Sequence, residues 1–177
     1  MKNTDKYLFQ ALDNYPYWLE GTSEALDYAL SYDEKNTTAL CLYARIEAEQ
    51  LQNYEAAKTY FQEALAINID AVAVYPYYIE TLLLKEDYEE AAKLIDFALT
   101  IKGINKMAIL LKKVQLLERQ QKIKEAIKAM KEVKLASFAN DSFEIDEVAN
   151  RLKAKKDLLK PKKKSKKKKS EKKAKKK

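Results

Sequence analysis

Few residues in this chain have the type and spacing to do chemistry. There is no histidine, which excludes a His-based triad, a zinc site of the His/Cys kinds and an imidazole general base. The one thiol, Cys41, sits among apolar residues in a helical pattern, where a cysteine packs rather than reacts. A single cysteine forms no intrachain disulfide, which suits a reducing compartment. Two acid pairs, Glu86-Asp87 and Glu89-Glu90, could in principle hold a cation or act as acid and base. They stand at a turn into a helix, where exposed carboxylates favourably face the helix N-terminus, so a solvated cap is the preferred reading. Gly21 and Gly103 are the only glycines, leaving no glycine-rich phosphate loop, and neither CxxC nor EF-hand spacing occurs. The expectation is a protein with no catalytic site, no metal and no cofactor.

The elements that would position any such residues are helices. The chain has 177 residues, 47% hydrophobic and 34% charged, with Gly 2 and Pro 3, too few to supply the tight turns of a sandwich or barrel. Its net charge of +7 is unevenly placed. Residues 1–100 hold 7 Lys/Arg against 18 Asp/Glu, residues 101–160 hold 15 against 8, and residues 161–177 hold 12 against 1. The last segment has no large apolar side chain to offset the entropy of ordering it, so a disordered Lys-rich tail is expected. The start offers no apolar leader, and no stretch approaches eighteen apolar residues, so a soluble, cytoplasmic protein without membrane insertion is expected.

A repeat runs through the remainder. Tyr54-Glu55-Ala56-Ala57-x3-Phe61-x2-Ala64-Leu65 returns as Tyr88-Glu89-Glu90-Ala91-x3-Ile95-x2-Ala98-Leu99, and again as Ile123-Lys124-Glu125-Ala126-x3-Met130-x2-Val133. Ala57, Ala91 and Ala126 are 34 and 35 residues apart, and a fainter copy, Leu19-x2-Thr22-x3-Leu26-x2-Ala29-Leu30, comes 35 earlier. The small residues let two helices approach closely, while Phe61, Ile95 and Met130 fill the space between successive helix pairs. An ordinary antiparallel bundle has no reason to keep such a period. Asn53 and Asp87 are placed as N-caps, Gly103 as a left-handed helix stop, and Pro76 in a first helical turn.

These segments resemble the second helices of tetratricopeptide (TPR) repeats, helical hairpins of 34 residues. The resemblance covers roughly residues 4–135. It implies an all-α fold, an α-solenoid of about four TPR hairpins in a right-handed superhelix plus a C-terminal capping helix. Residues 1–160 would form the array, with units at about 4–35, 36–69, 70–104 and 105–136, followed by a tail at 161–177. The capping helix, 142–160, is marked by Ile145, Val148, Ala149, Leu152 and Leu159 on one face and by Asp141 and Glu144 at capping-box spacing. Ala44 suits the family's small first-helix position if the second unit's turn is one residue longer. Ile79 and Val114 stand where the family prefers Gly or Ala, a departure that leaves the curvature open.

TPR arrays act as scaffolds that hold a peptide or partner helix in the concave groove of their first helices. Carried over, this makes Arg45, Glu49, Tyr77, Glu80, Gln115 and Arg119 the groove residues; the alternative is that they are ordinary solvent-facing side chains. Pro76 and Glu80 stand at positions of the clamp that binds acidic chaperone tails, and an acidic, partly aromatic groove argues against that role. Tyr54, Tyr75, Tyr78 and Tyr88 are expected to pack, leaving Tyr77 for contact. The leading reading is a non-catalytic scaffold for a protein or peptide partner, with its oligomeric state open. The runner-up is an RNA- or ribosome-associated accessory protein anchored by Lys162–Lys177, since lysines give salt-sensitive, sequence-independent nucleic-acid affinity. A solvated tail, or one screening the acidic first hundred residues, competes with that role.

Overall fold

Local chemistry sets the helix boundaries. In the computed structural model, which describes residues 3–138 and 142–159, every regular element among the described residues is helical. They are α1 (Asn3–Asn14), α2 (Leu19–Tyr32), α3 (Thr37–Arg45, extended by a π-helical turn Ile46–Gln50), α4 (Tyr54–Ile67), α5 (Val74–Leu84), α6 (Tyr88–Ala98), α7 (Lys106–Arg119), α8 (Ile123–Ala136) and α9 (Ser142–Leu158). Asn36, Asn53, Asp87 and Asn105 each accept a backbone N–H three residues on, at 3.0, 3.4, 3.4 and 3.1 Å. These caps satisfy donors that the first helical turn leaves open. Gly103 has φ +84°, the expected left-handed stop, and Pro76 stands in the first turn of α5. Asp141 of the expected capping box and the expected tail, 161–177, lie outside the described residues.

The helices pair as α1/α2, α3/α4, α5/α6 and α7/α8, and each pair packs on the next, with α9 against α8. The architecture is an all-α, solenoid-like stack. Its interior is three successive clusters rather than one core: the first between α1, α2 and α3, the second from α3 to α7, the third from α7 to α9. Ala57, Ala91 and Ala126 are fully buried, and so are Phe61 and, to within 5%, Ile95 and Met130. Ile79 and Val114 have no exposed surface, so the hairpins accommodate side chains larger than Ala. Leu159 departs from expectation: α9 ends at Leu158, and Leu159, just past the last turn, is 67% exposed. No helix of the described residues is long and apolar enough to cross a membrane.

The repeat extends into the backbone. Gln52, Glu86 and Gln121 have φ of 55, 65 and 61°, and each immediately precedes the first residue before a second helix. At two of them the first helix closes in a Schellman motif. Asp87 N–H donates to Leu82 O at 2.9 Å and Lys122 N–H to Leu117 O at 2.8 Å, with the left-handed residue bonding back three positions. In the second hairpin the matching bond, Asn53 N–H to Glu47 O at 2.8 Å, spans one residue more. The extra residue is taken up by the π-helical turn, where Leu51 N–H reaches Ile46 O at 3.2 Å, and Ala44 stays fully buried.

None of these left-handed residues is Gly, and a left-handed L-residue carries a steric cost of about 1–2 kcal/mol. Gln121→Gly is therefore expected to raise the unfolding free energy by about 0.5–1 kcal/mol, net of the added chain entropy, and Gln121→Val to lower it by about 1 kcal/mol or more. Urea unfolding of the two variants checks the pair; equal effects would show that the turn relaxes out of this conformation.

Candidate groove on the first-helix face

The first helices α1, α3, α5 and α7 contact one another in order and form one face of the stack. Along it, side chains 32 or 33 residues apart meet across neighbouring helices. The Arg45 guanidinium carbon of α3 lies 4.2 Å from the centre of the Tyr77 ring of α5. Glu80 of α5 pairs with Lys112 of α7. Glu118 of α7 accepts from Arg151 of α9 at 3.1 and 3.0 Å and pairs with Lys155 at 2.7 Å.

Arg45 is the centre of the best-formed part. Its guanidinium is sandwiched between Tyr77 and Tyr15, 4.7 Å from the latter's ring centre, and its Nε donates to Glu49 Oε1 at 3.0 Å. Tyr15 closes the cluster by donating to the other Glu49 oxygen. Burial works against the Arg45 charge, but the hydrogen bond and attraction of Glu49 outweigh it and hold its pKa above the ordinary value. Burial and the bond to Glu49 both push the Tyr15 hydroxyl up. Cation–π contact with two rings and a bidentate carboxylate fix a planar group that could otherwise adopt many rotamers.

Arg45 and Tyr77 of this cluster form one wall of a cleft of about 400 Å³ between α3, α5 and the loop joining α4 to α5. Leu12, Cys41, Leu42, Val72 and Val74 make its surface mainly apolar, with Thr37, Thr38, Asn68 and Asp70 at polar positions. A cleft of this size with a few fixed polar groups can hold an apolar side chain and orient the backbone that carries it. Cys41 is buried, and that burial pushes its thiol up to about 11, so at neutral pH it is a protonated wall residue.

Of the six groove residues expected from sequence, the structure brings Arg45, Glu49 and Tyr77 together. It sets Glu80 in a separate ion pair, and places Gln115 and Arg119 on a second hollow of about 520 Å³ beside Glu118 and Arg151. Gln115 Oε1 is buried there without a hydrogen-bond partner among the described residues. The expected acidic character is changed by pairing, because Glu49, Glu80 and Glu118 each carry a cationic partner. Tyr75 and Tyr78 are buried, Tyr54 and Tyr88 pack partly against the core, and Tyr77 is 38% exposed. Tyr15, Lys112, Arg151 and Lys155 are the contributors sequence reasoning missed. A signal existed for Lys112, which stands 35 residues after Tyr77, as Tyr77 stands 35 after Leu42.

No protein-family model matches the sequence, and a search of the curated proteins finds no match.

Glu118 ties α9 to the stack. Burial raises its pKa, but hydrogen bonds from Arg151 and Lys155 outweigh this and hold the carboxyl below its usual 4.5. A depressed carboxyl pKa contributes stability that is present above the unfolded-state value and lost as pH falls through the folded-state value. Glu118→Ala is expected to cost about 1–3 kcal/mol and to flatten the loss of stability below about pH 4.5. Denaturant titrations of both proteins between neutral and acid pH read both effects, and an unchanged acid limb would show that Glu118 does not anchor α9.

Proposed function

We propose that the chain is a tetratricopeptide-type scaffold, without catalytic activity, that binds a segment of a protein partner in the concave groove of its first helices. The observation that carries this reading is the apolar cleft of about 400 Å³ on the first-helix face, walled by a charged side chain already held in place. Preorganised walls lower the entropy that binding must offset, so an inserted apolar residue gains from burial without ordering its surroundings. Arg45 and Glu49, being mutually neutralised, supply hydrogen-bonding direction more than net charge. Tyr77 is the contact aromatic, with large area and few rotatable bonds. A reducing, cytoplasmic setting fits the single buried thiol.

The test uses a photo-crosslinking amino acid at Thr38, on the cleft wall, in the full chain in cells, with and without nuclease treatment of the lysate. The expected result is a defined protein adduct that survives nuclease and falls at least about tenfold with Tyr77→Asp, which removes ring contact and introduces charge. Deletion of residues 162–177 should leave the adduct intact. Recovery of nucleic acid alone, or an adduct lost with the lysine segment and not with Tyr77→Asp, would support the RNA-associated reading instead.

A further inference from the structure

The groove between α8 and α9 is floored by the half-buried Ile127 and Ala149, with Met130 and Leu152 buried beneath them, and encloses about 400 Å³. Lys131 and Lys134 rim it on α8, Lys153 and Lys156 on α9, and no carboxylate lines it among the described residues. This separates it from the first-helix face, where Glu49, Glu80 and Glu118 are each matched by a cation.

Internal equivalence indicates what kind of groove it is. Met130, Lys134, Ala149 and Leu152 each stand 35 residues after Ile95, Leu99, Val114 and Leu117 of α6 and α7. Those earlier residues are covered. Val114 has no exposure where its counterpart Ala149 is half-buried, and Leu99 packs against the cluster to which α8 contributes Ala126 and Met130; Ile95 and Met130 are both buried, at 1% and 5%. The helix that follows α7 thus covers that groove. α9 takes the place of a first helix, because Arg151 reaches back to Glu118 as Lys112 reaches back to Glu80. Among the described residues no helix follows α9 to cover the next groove.

We propose that this groove seats an acidic amphipathic helix of a partner protein. Its apolar stripe would carry a small residue over Ala149, and its flanking carboxylates would meet the four lysines. The chain contains its own precedent: α6 rests on α5 with Ala91 fully buried, while Glu90 pairs with Lys58 of α4 and accepts from the Tyr78 hydroxyl at 2.7 Å. The segment at 161–177, with 12 Lys/Arg against 1 Asp/Glu, is repelled by the same rim and does not fit the seat. The mode is helix-in-groove recognition, with burial supplying affinity and the lysines supplying selection for acid.

The probe is a labelled peptide of residues 87–100 of this chain, the segment that contains α6, titrated into the full-length protein with fluorescence anisotropy as readout. Saturable binding is expected, weakened at least about tenfold when Lys131, Lys134, Lys153 and Lys156 are all changed to Glu. These are surface positions, and circular dichroism checks that the helices persist. A Gln series at the same four positions is expected to fall between the two. A second peptide keeps every charge but replaces its Ala91, Ile95 and Ala98 by Ser, and is expected to bind at least about tenfold more weakly. Equal binding of the two peptides, or binding unaffected by the Glu changes, would assign the effect to the lysine segment and overturn the proposal. Sedimentation of the full chain alone supplies the remaining outcome: self-association abolished by the same four changes would make a second copy the occupant, which also overturns it.

Discussion

Each hairpin of this protein can bury its apolar faces only against the hairpins beside it. Among the described residues the interior is three clusters in series rather than one central core, so the close approach of helices at Ala57, Ala91 and Ala126, all fully buried, carries the assembly. A side chain with more bulk at these points would move one helix away from the next and propagate the displacement along the stack. The bulky residues four places on, Phe61, Ile95 and Met130, fill the space that close approach leaves. Three clusters in series follow from this arrangement.

The polar pairs are subordinate to that packing but give it register. Arg45 with Tyr77 and Glu80 with Lys112 bridge first helices that are already adjacent, and Glu118 with Arg151 joins α7 to α9. Ion pairs at the surface contribute little apiece, about 0–1 kcal/mol, yet each is satisfied in one sliding position of its helix. They also shape the first-helix face. Carboxylates that would repel an acidic ligand are neutralised, and Arg45, held between two rings, becomes a fixed wall of the cleft. The lining of the α8–α9 groove lacks such compensation: its four lysines have no carboxylate beside them in it among the described residues.

Much of this was legible in the residues. The 34- and 35-residue period gave the helix pairs, since small and bulky side chains alternate at the spacing of one helix face. Asn53 and Asp87 announced helix starts because a cap needs only a bond three residues along. The need for one extra residue beside Ala44 was visible too, although its form, a π-helical turn within α3, was not. Gln52, Glu86 and Gln121 gave no sign of their left-handed backbone, since Gln and Glu have no preference for it; the turn imposes it by closing the helix end. Leu159 was misplaced because the apolar pattern continues one residue beyond the last turn of α9.

By itself the sequence determined the helices, their pairing and which face of each is buried, because these depend on interactions within a few residues and on a period repeated along the chain. It named Arg45, Glu49 and Tyr77 as surface positions of one face without relating them. That Arg45 lies between Tyr15 and Tyr77, that Glu80 finds Lys112 and that the Gln115 Oε1 is left without a hydrogen-bond partner among the described residues were decided by the tertiary structure alone. Such contacts join residues about one repeat apart. Their distances are set by how far each hairpin is translated and turned on the one before, a quantity that only the packed stack defines.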